Sequence, residues 1–263
     1  MKIAIIGAGN MGAAIARGLA NTSFISESDI MVSDPSKNTL DKLKSDYPGM
    51  LCTTNNQDAT DKARIVVLAV KPWLIADIIG QIKYSMDYKK QIVVSVAAGI
   101  TCEDLQKLFM DDDAEAPVIY RAIPNIAFEN NESITFLSTQ NASPSENELI
   151  LPIFEACGKA VMLNEKDMTS ATALGSCGIA FAFRYIHAVM SAGVELGITA
   201  PVSKDIAIQT LKGAVSLLEH SNEHPEALVD KVTTPGGITI KGVNELEHNG
   251  FTSAVIKAYK ACK

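Results

Sequence analysis

Three glycines at the spacing G-x-G-x-x-G (Gly7, Gly9 and Gly12) stand between a wholly apolar run, Ile3 to Ile6, and a helical pattern through Ile15, Ala16 and Leu19. In that setting each glycine can serve a dinucleotide. Gly7 permits a tight turn, Gly9 lets the backbone approach a pyrophosphate with no Cβ in the way, and Gly12 lets helix and strand pack closely. Asn10 and Met11 begin the helix, whose first N–H groups and positive dipole end favour an anion. A glycine-rich turn alone is common; the strand before it and the helix after it make this one a nucleotide site.

Asp34 follows Gly12 by twenty-two positions, at the end of a second apolar run. An acidic side chain there hydrogen-bonds the adenine ribose of NAD and repels a 2′-phosphate. Ser36 and Lys37 come next and are suited to holding that phosphate, so the two signals conflict. Asp34 also fits a plain turn before Pro35. Ala69-Val70-Lys71-Pro72 and Ala97-Ala98-Gly99 close two further apolar runs, where a parallel sheet presents its ligands. Near the other end, Thr233 and Thr234 precede Pro235-Gly236-Gly237, and Thr239 falls in the first turn of the helix that follows. Backbone N–H groups at such a helix start, with hydroxyls beside them, suit a small carboxylate. An ordinary Thr-capped helix is the plainer reading, but two adjacent glycines cost flexibility that a cap does not need.

The elements that position these residues alternate. Apolar strand patterns at Asp29 to Ser33, Ile65 to Val70, Gln91 to Val96 and Val118 to Ala122 are separated by helical stretches. Thr101 and Asp104 have capping-box spacing. Further strands are expected at Ser133–Leu137 and Lys159–Leu163, around a helix from Ser145. Such alternation means βαβ units and a parallel sheet. After about residue 164 only helical patterns are found: 166–197, 202–218, 225–231, 236–248 and 251–261. The expectation is an α/β fold: a Rossmann doubly wound sheet over residues 1–163, then an all-α domain over 164–263. The longest helix is apolar almost all round and must be covered on every side. A homodimer or higher homo-oligomer is therefore expected.

Composition excludes several classes. With 47% apolar and 20% charged residues the chain reads as an ordinary soluble globular protein. A net charge of −7, with no Lys/Arg cluster, argues against nucleic acid. The start at Met1 lacks a basic region and a small-residue cleavage site and reads as a strand. Cys52, Cys102, Cys157, Cys177 and Cys262 are scattered, as expected of reduced thiols in a cytoplasmic protein. His220 and His224 alone approach a ligand spacing, and surface roles suit them better than metal. The uncharged piece before Arg184 is too short for a membrane span.

Together these features resemble the pyrroline-5-carboxylate reductase family nearly end to end. The resemblance rests on Ile6-Gly-Ala-Gly-Asn-Met-Gly12, Ala69-Val-Lys-Pro72, Ser95-Val-Ala-Ala-Gly99, Arg121-Ala-Ile-Pro-Asn125 and above all Val232-Thr-Thr-Pro-Gly-Gly-Ile-Thr239 with Leu246-Glu247 and Gly250-Phe251. It implies reduction of a cyclic imino acid to L-proline by NADPH or NADH, without metal, in a dimer whose helical domains interlock. It also implies roles. Asn56 would contact the adenosine side of the cofactor. Ala69, Val70, Lys71 and Pro72 would lie along its nicotinamide half, and Ala98 and Gly99 near the reacting centre. Thr234, Gly236, Gly237 and Thr239 would bind the substrate, Thr239 as the catalytic hydroxyl, with Asn125, Cys177 and Thr233 alongside. Two departures stand out. Where the family usually reads Ser-Gly-Ser-Gly-Pro-Ala-Tyr, this chain has Gly175-Ser-Cys-Gly-Ile-Ala-Phe181, and Asp34 replaces a residue often small or neutral in NADPH-preferring members.

Other readings stay open at this point: a different NAD(P)-linked imine reductase, a β-hydroxyacid dehydrogenase, or a nucleotide-binding protein without turnover. Hydroxyacid oxidation calls for a general base on the long helix, and Arg184, which stays protonated, is a poor one.

Overall fold

Strands β1 (Ile3–Ile6), β2 (Ile30–Ser33), β4 (Ile65–Leu68) and β5 (Ile92–Ser95) are almost wholly buried. Unbroken apolar runs of this kind form strands because both sheet faces are covered. The computed structural model describes residues 1–110 and 116–263. Alternation along β1 sends Ile3 and Ile5 into one core cluster and Ala4 and Ile6 into the other, on opposite sides of the sheet. The intervening helices are α1 (Asn10–Ala20), α2 (Lys37–Asp46), α3 (Asn56–Thr60), α4 (Ile75–Ile82) and α5 (Cys102–Phe109). With β3 (Leu51–Thr53), β6 (Val118–Ile123), β7 (Ser133–Thr139) and β8 (Gly158–Met162), the sheet order is β3-β2-β1-β4-β5-β6-β7-β8. The order reverses between β1 and β4, which opens a crevice at the carboxyl ends of those two strands.

The sheet is not parallel throughout. β7 runs antiparallel to β6, with Tyr120 opposite Thr139. The connection holds one short 3-10 turn, Ile126–Asn130, and no crossover helix, so the chain has to reverse. The predicted capping box at Thr101 and Asp104 is present. The helix expected from Ser145 is α6, Pro144–Glu155, capped by Ser143 in a second capping box with Glu146. Pro144 at its first position explains the earlier start, because proline's fixed φ and missing N–H cost nothing there.

After β8 the chain enters α7 (Met168–Ala171), a π-helical stretch Thr172–Cys177, and α8 (Gly178–Glu195). Two compact units meet at Ser176 and Cys177, further along than the 163/164 division drawn from the last strand pattern. The reason is local packing: Met168 and Ala171 bury themselves with Phe136, against Ile134 and Val161 of the sheet and Leu163 just past β8. The second unit is all helical, with α8, α9 (Ala200–Glu219), α10 (Pro225–Val232), α11 (Ile238–His248) and α12 (Phe251–Ala261). Within it, a Cβ on Gly193 would lie 2.2 Å from the Ser203 hydroxyl, so glycine is what lets α8 and α9 approach. Phe181 meets Tyr259 edge-to-face at 4.9 Å, joining α8 to α12. No residue of α8 is buried within the chain. By length and composition the run Glu165–Glu195 is long and apolar enough to cross a membrane, because the helix continues through Arg184.

One part-buried ion pair anchors the end of the first unit. Arg121 Nη1 lies 2.8 Å from Glu165 Oε1, which also accepts from the Cys102 N–H at 2.8 Å, while Oε2 accepts from Gln140 Nε2. Burial raises the Glu165 pKa, but the Cys102 N–H and the Arg121 guanidinium outweigh it and hold the carboxyl below its usual range. Burial, then the Glu165 charge, pushes the Cys102 thiol up to about 12, so it is unreactive. Arg121→Ala leaves a half-buried carboxylate without its cation but with the Cys102 N–H and Gln140 still donating, and is expected to cost about 1–3 kcal/mol in urea unfolding at pH 7. A depressed folded pKa stabilises above the unfolded value and is lost as pH falls through the folded one. The stability gap between the natural chain and Glu165→Gln should therefore be widest at pH 7 and close below about pH 4. A gap independent of pH would rule out this linkage.

Candidate active site

The glycine loop sits where β1 gives way to α1, and its geometry is that of a cradle. Gly7 has φ +99°, and a Cβ there would lie 2.6 Å from the Ala69 carbonyl. A Cβ on Gly12 would lie 1.9 Å from the Gly7 carbonyl, so α1 can come this close to β1 only through glycine. Gly9 differs: a Cβ would meet nothing within 4 Å, because the residue faces open space. No side chain caps the α1 N-terminus at Gly9, and its first turn carries no acidic residue. The first N–H groups of α1 are thus left for an anion.

Around this loop runs a cleft of about 640 Å³ at the β1/β4 crevice. Of the residues expected at the cofactor, Gly7, Gly9, Asn10, Met11, Asp34, Asn56, Ala69, Val70, Lys71, Pro72 and Ala98 line it. Gly12 lies behind the wall as a packing residue, and Ser36, Lys37 and Gly99 lie outside the lining. The only charged residues in the lining are Asp34 and Lys71. They follow β2 and β4, which flank β1, so two strand spacings, about 10 Å, separate the strands they follow. Ser33 Oγ donates to Asn56 Oδ1 at 2.7 Å, and Asn56 Nδ2 donates to Gln81 Oε1 at 2.7 Å, which fixes the Asn56 amide.

Several lining residues were not singled out from sequence. Ile78 comes from α4 and Ile126 from the β6–β7 connection. Neither carries a local signal, since only the fold brings it to the cleft. Val96 was within reach of the strand-end rule that gave Ala97 and Ala98, both of which line the cleft. Asn125 is buried away from the cleft lining: its Oδ1 accepts from the Ala127 N–H and its Nδ2 donates to the Gly175 carbonyl at 3.0 Å. It ties the end of β6 to the π-helical stretch.

In the second unit, the Thr234 carbonyl accepts from the Gly237 N–H at 2.9 Å, and Gly236 has φ +73°. With Pro235 before Gly236 this is a type II turn, whose third position favours glycine. The turn delivers Gly237 as the N-cap of α11, with no side-chain cap and no acid in the first turn. Thr234 and Thr239 are exposed beside that N-terminus. Thr233 is differently engaged, its hydroxyl donating to the Val229 carbonyl at 3.1 Å and closing α10. Cys177 precedes α8, its pKa raised by burial and by a hydrogen bond with Cys262.

Residues 165–263 match the family described as pyrroline-5-carboxylate reductase dimerisation, and residues 2–99 match the family described as NADP oxidoreductase, coenzyme F420-dependent. Pyrroline-5-carboxylate reductase 2 of Dictyostelium discoideum is 36% identical over 97% of this chain and 89% of its own length. The chain belongs to the pyrroline-5-carboxylate reductase family. Pyrroline-5-carboxylate reductase 1 of the same organism is 38% identical over 97% of this chain, which spans 47% of that relative. A crystal structure of Plasmodium falciparum pyrroline carboxylate reductase with NADP bound matches at TM-score 0.88 and 28% identity, covering 100% of this chain and 95% of that one.

Membership makes the chain an oxidoreductase using NADPH or NADH, with an N-terminal dinucleotide-binding domain and a helical dimerisation domain. Of the departures in Gly175-Ser-Cys-Gly-Ile-Ala-Phe181, Phe181 has a packing side, as its ring meets Tyr259 edge-to-face, and Gly178, which the usual family pattern shares, lies where a Cβ would come 2.9 Å from the Tyr259 hydroxyl.

The glycines separate two effects that one experiment can read. Gly9→Ala is expected to leave the thermal midpoint unchanged while weakening NAD(P)H binding at least about tenfold, or about 1.4 kcal/mol. Gly12→Ala is expected to lower stability by about 1–3 kcal/mol through overpacking. Equal cofactor affinity in Gly9→Ala and the natural chain would remove the loop from the site.

Proposed function

We propose that this chain reduces 1-pyrroline-5-carboxylate to L-proline with NAD(P)H, the last step of proline biosynthesis, as a cytoplasmic homodimer or larger homo-oligomer. What carries the reading is the uncapped α11 N-terminus behind the Thr234–Gly237 turn, in a chain of this family that also has the glycine cradle. The five cysteines are free thiols, as suits a reducing compartment. A second subunit is the natural cover for α8, none of which the chain itself buries.

The substrate is an imine, already electrophilic and more so when its nitrogen is protonated. The nicotinamide cofactor supplies a hydride to the imine carbon. The work left to the protein is binding, orientation and one proton, which is why no nucleophile is needed. The Gly236 and Gly237 amides and the first N–H groups of α11 hold the carboxylate, with the Thr234 hydroxyl beside them. Thr239 Oγ1 donates a hydrogen bond to the ring nitrogen and relays to it a proton from solvent as C=N becomes a single bond, the hydroxyl regaining from water the proton it passes on. In the cofactor cleft, Asn56 takes the adenosine side and Ala69 to Pro72 with Ala98 the nicotinamide side. Asn125 acts through its bond to the Gly175 carbonyl, as a positioning residue for the stretch that contains Cys177.

The alternative of hydroxyacid oxidation finds no lysine on α8 to act as base; its ionisable side chains are Arg184, Tyr185, His187 and Glu195.

Thr239→Ala is expected to lower kcat for imine reduction about a hundredfold, with NAD(P)H affinity unchanged and partial rescue in Thr239→Ser. Gly237→Ala, whose Cβ would lie 2.6 Å from Thr234 Oγ1, should act mainly by raising KM for the imino acid. Unchanged turnover in Thr239→Ala would take this hydroxyl out of the chemistry. An unchanged KM in Gly237→Ala would remove the carboxylate site.

A further inference from the structure

We propose that Asp34 makes this enzyme select NADH over NADPH, an inference that takes the reductase reading as given. The carboxylate lines the cofactor cleft with both oxygens held in place. Oδ2 accepts from the Ala8 N–H of the glycine loop at 2.7 Å, and Oδ1 accepts from the Ser36 N–H at 2.9 Å. Each oxygen keeps a lone pair beyond the bond it makes. An ionised carboxylate only accepts, so the lone pairs facing the cleft suit a ribose hydroxyl. A ribose phosphate has no proton to give and brings about two negative charges against a third. At contact distance that repulsion is substantial even in a partly solvated cleft.

The groups that would offset such a phosphate are turned elsewhere. Ser36 Oγ accepts from the Thr39 N–H at 3.3 Å and from Thr39 Oγ1 at 3.0 Å, so it caps α2 and closes the helix end that would otherwise draw an anion. Lys37 is exposed on the first turn of α2, and the cleft wall stops at Pro35. Lys71, the lining's one cation, stands across β1 at the end of β4. The conflict between Asp34 and the Ser36-Lys37 pair is thus resolved by direction: the acid faces the nucleotide and the pair does not. Because the same carboxylate tethers Ala8, ribose recognition and the shape of the phosphate loop rest on one side chain.

The test is a binding measurement on the full chain without substrate. Trp73 is the chain's only tryptophan, is 74% exposed, and lies between Pro72 and Leu74 of the cleft wall, so quenching of its fluorescence reports cofactor binding. NADH is expected to bind at least about tenfold more tightly than NADPH. In Asp34→Asn, which keeps an acceptor oxygen and loses the charge, and in Asp34→Ser, that ratio should fall to unity or reverse. The ratio carries the result, so a general loosening of the loop in either variant does not obscure it. NADPH binding as tightly as NADH to the natural chain, or an unchanged ratio in both variants, overturns the proposal. So does Lys37→Ala if it weakens NADPH binding alone, since the phosphate would then have found its cation. Turnover of pyrroline-5-carboxylate is read separately. Binding that prefers NADH with no imine reduction would fail the reductase reading and leave this one standing.

Discussion

The first unit depends on how closely two pieces of backbone can approach at the β1–α1 turn. A Cβ on Gly12 would overlap the Gly7 carbonyl, and one on Gly7 would overlap the Ala69 carbonyl at the end of β4. Only with both positions bare can α1 start directly above the sheet. That places its free N–H groups over the crevice where the strand order reverses. The cleft, its two flanking charges and the fixed amide of Asn56 are arranged around this approach. Gly9 has a different task, since nothing in the protein crowds it. Sterics within the fold explain two of the three glycines, and room for a ligand explains the third.

What sequence could reveal followed from how local each signal is. Buried parallel strands appear as apolar runs, and the Thr101–Asp104 box and the α12 boundaries, Phe251–Ala261, lie within a few residues of their causes. The reversal of β7 lay in the length of the β6–β7 connection, too short for a crossover helix, rather than in composition, which reads the same for either direction. The same holds for the bond from Asn125 to the Gly175 carbonyl and for the node joining Arg121, Glu165 and the Cys102 N–H, which span 50 and 63 residues of chain. Asp34 was legible as a candidate, but its direction was not. The hydrogen bonds to Ala8 and Ser36 decide that.

The second unit shows the opposite economy. Its only buried residues are Ser203 and Ala207 in α9, and large apolar side chains such as Phe183, Leu196, Leu217 and Val255 stand exposed. Helices this bare gain most of their stability from a partner surface. That is consistent with the family's dimerisation domain covering residues 165–263. The turn before α11 differs from these apolar faces in being polar and exposed, and α11, like α8, α9 and α12, has no side-chain cap. Exposed helix N–H groups of this kind are satisfied by water.

Reduction of pyrroline-5-carboxylate by a nicotinamide cofactor requires direct transfer of a hydride to the imine carbon. Following a label tests it most directly. With nicotinamide cofactor deuterated at the transferred C4 position and pyrroline-5-carboxylate as substrate, mass spectrometry and NMR of the product should find one deuterium per proline, on the former imine carbon. Proline that carries no deuterium, with the label found in water, would contradict the account, as would a failure to form proline with either cofactor.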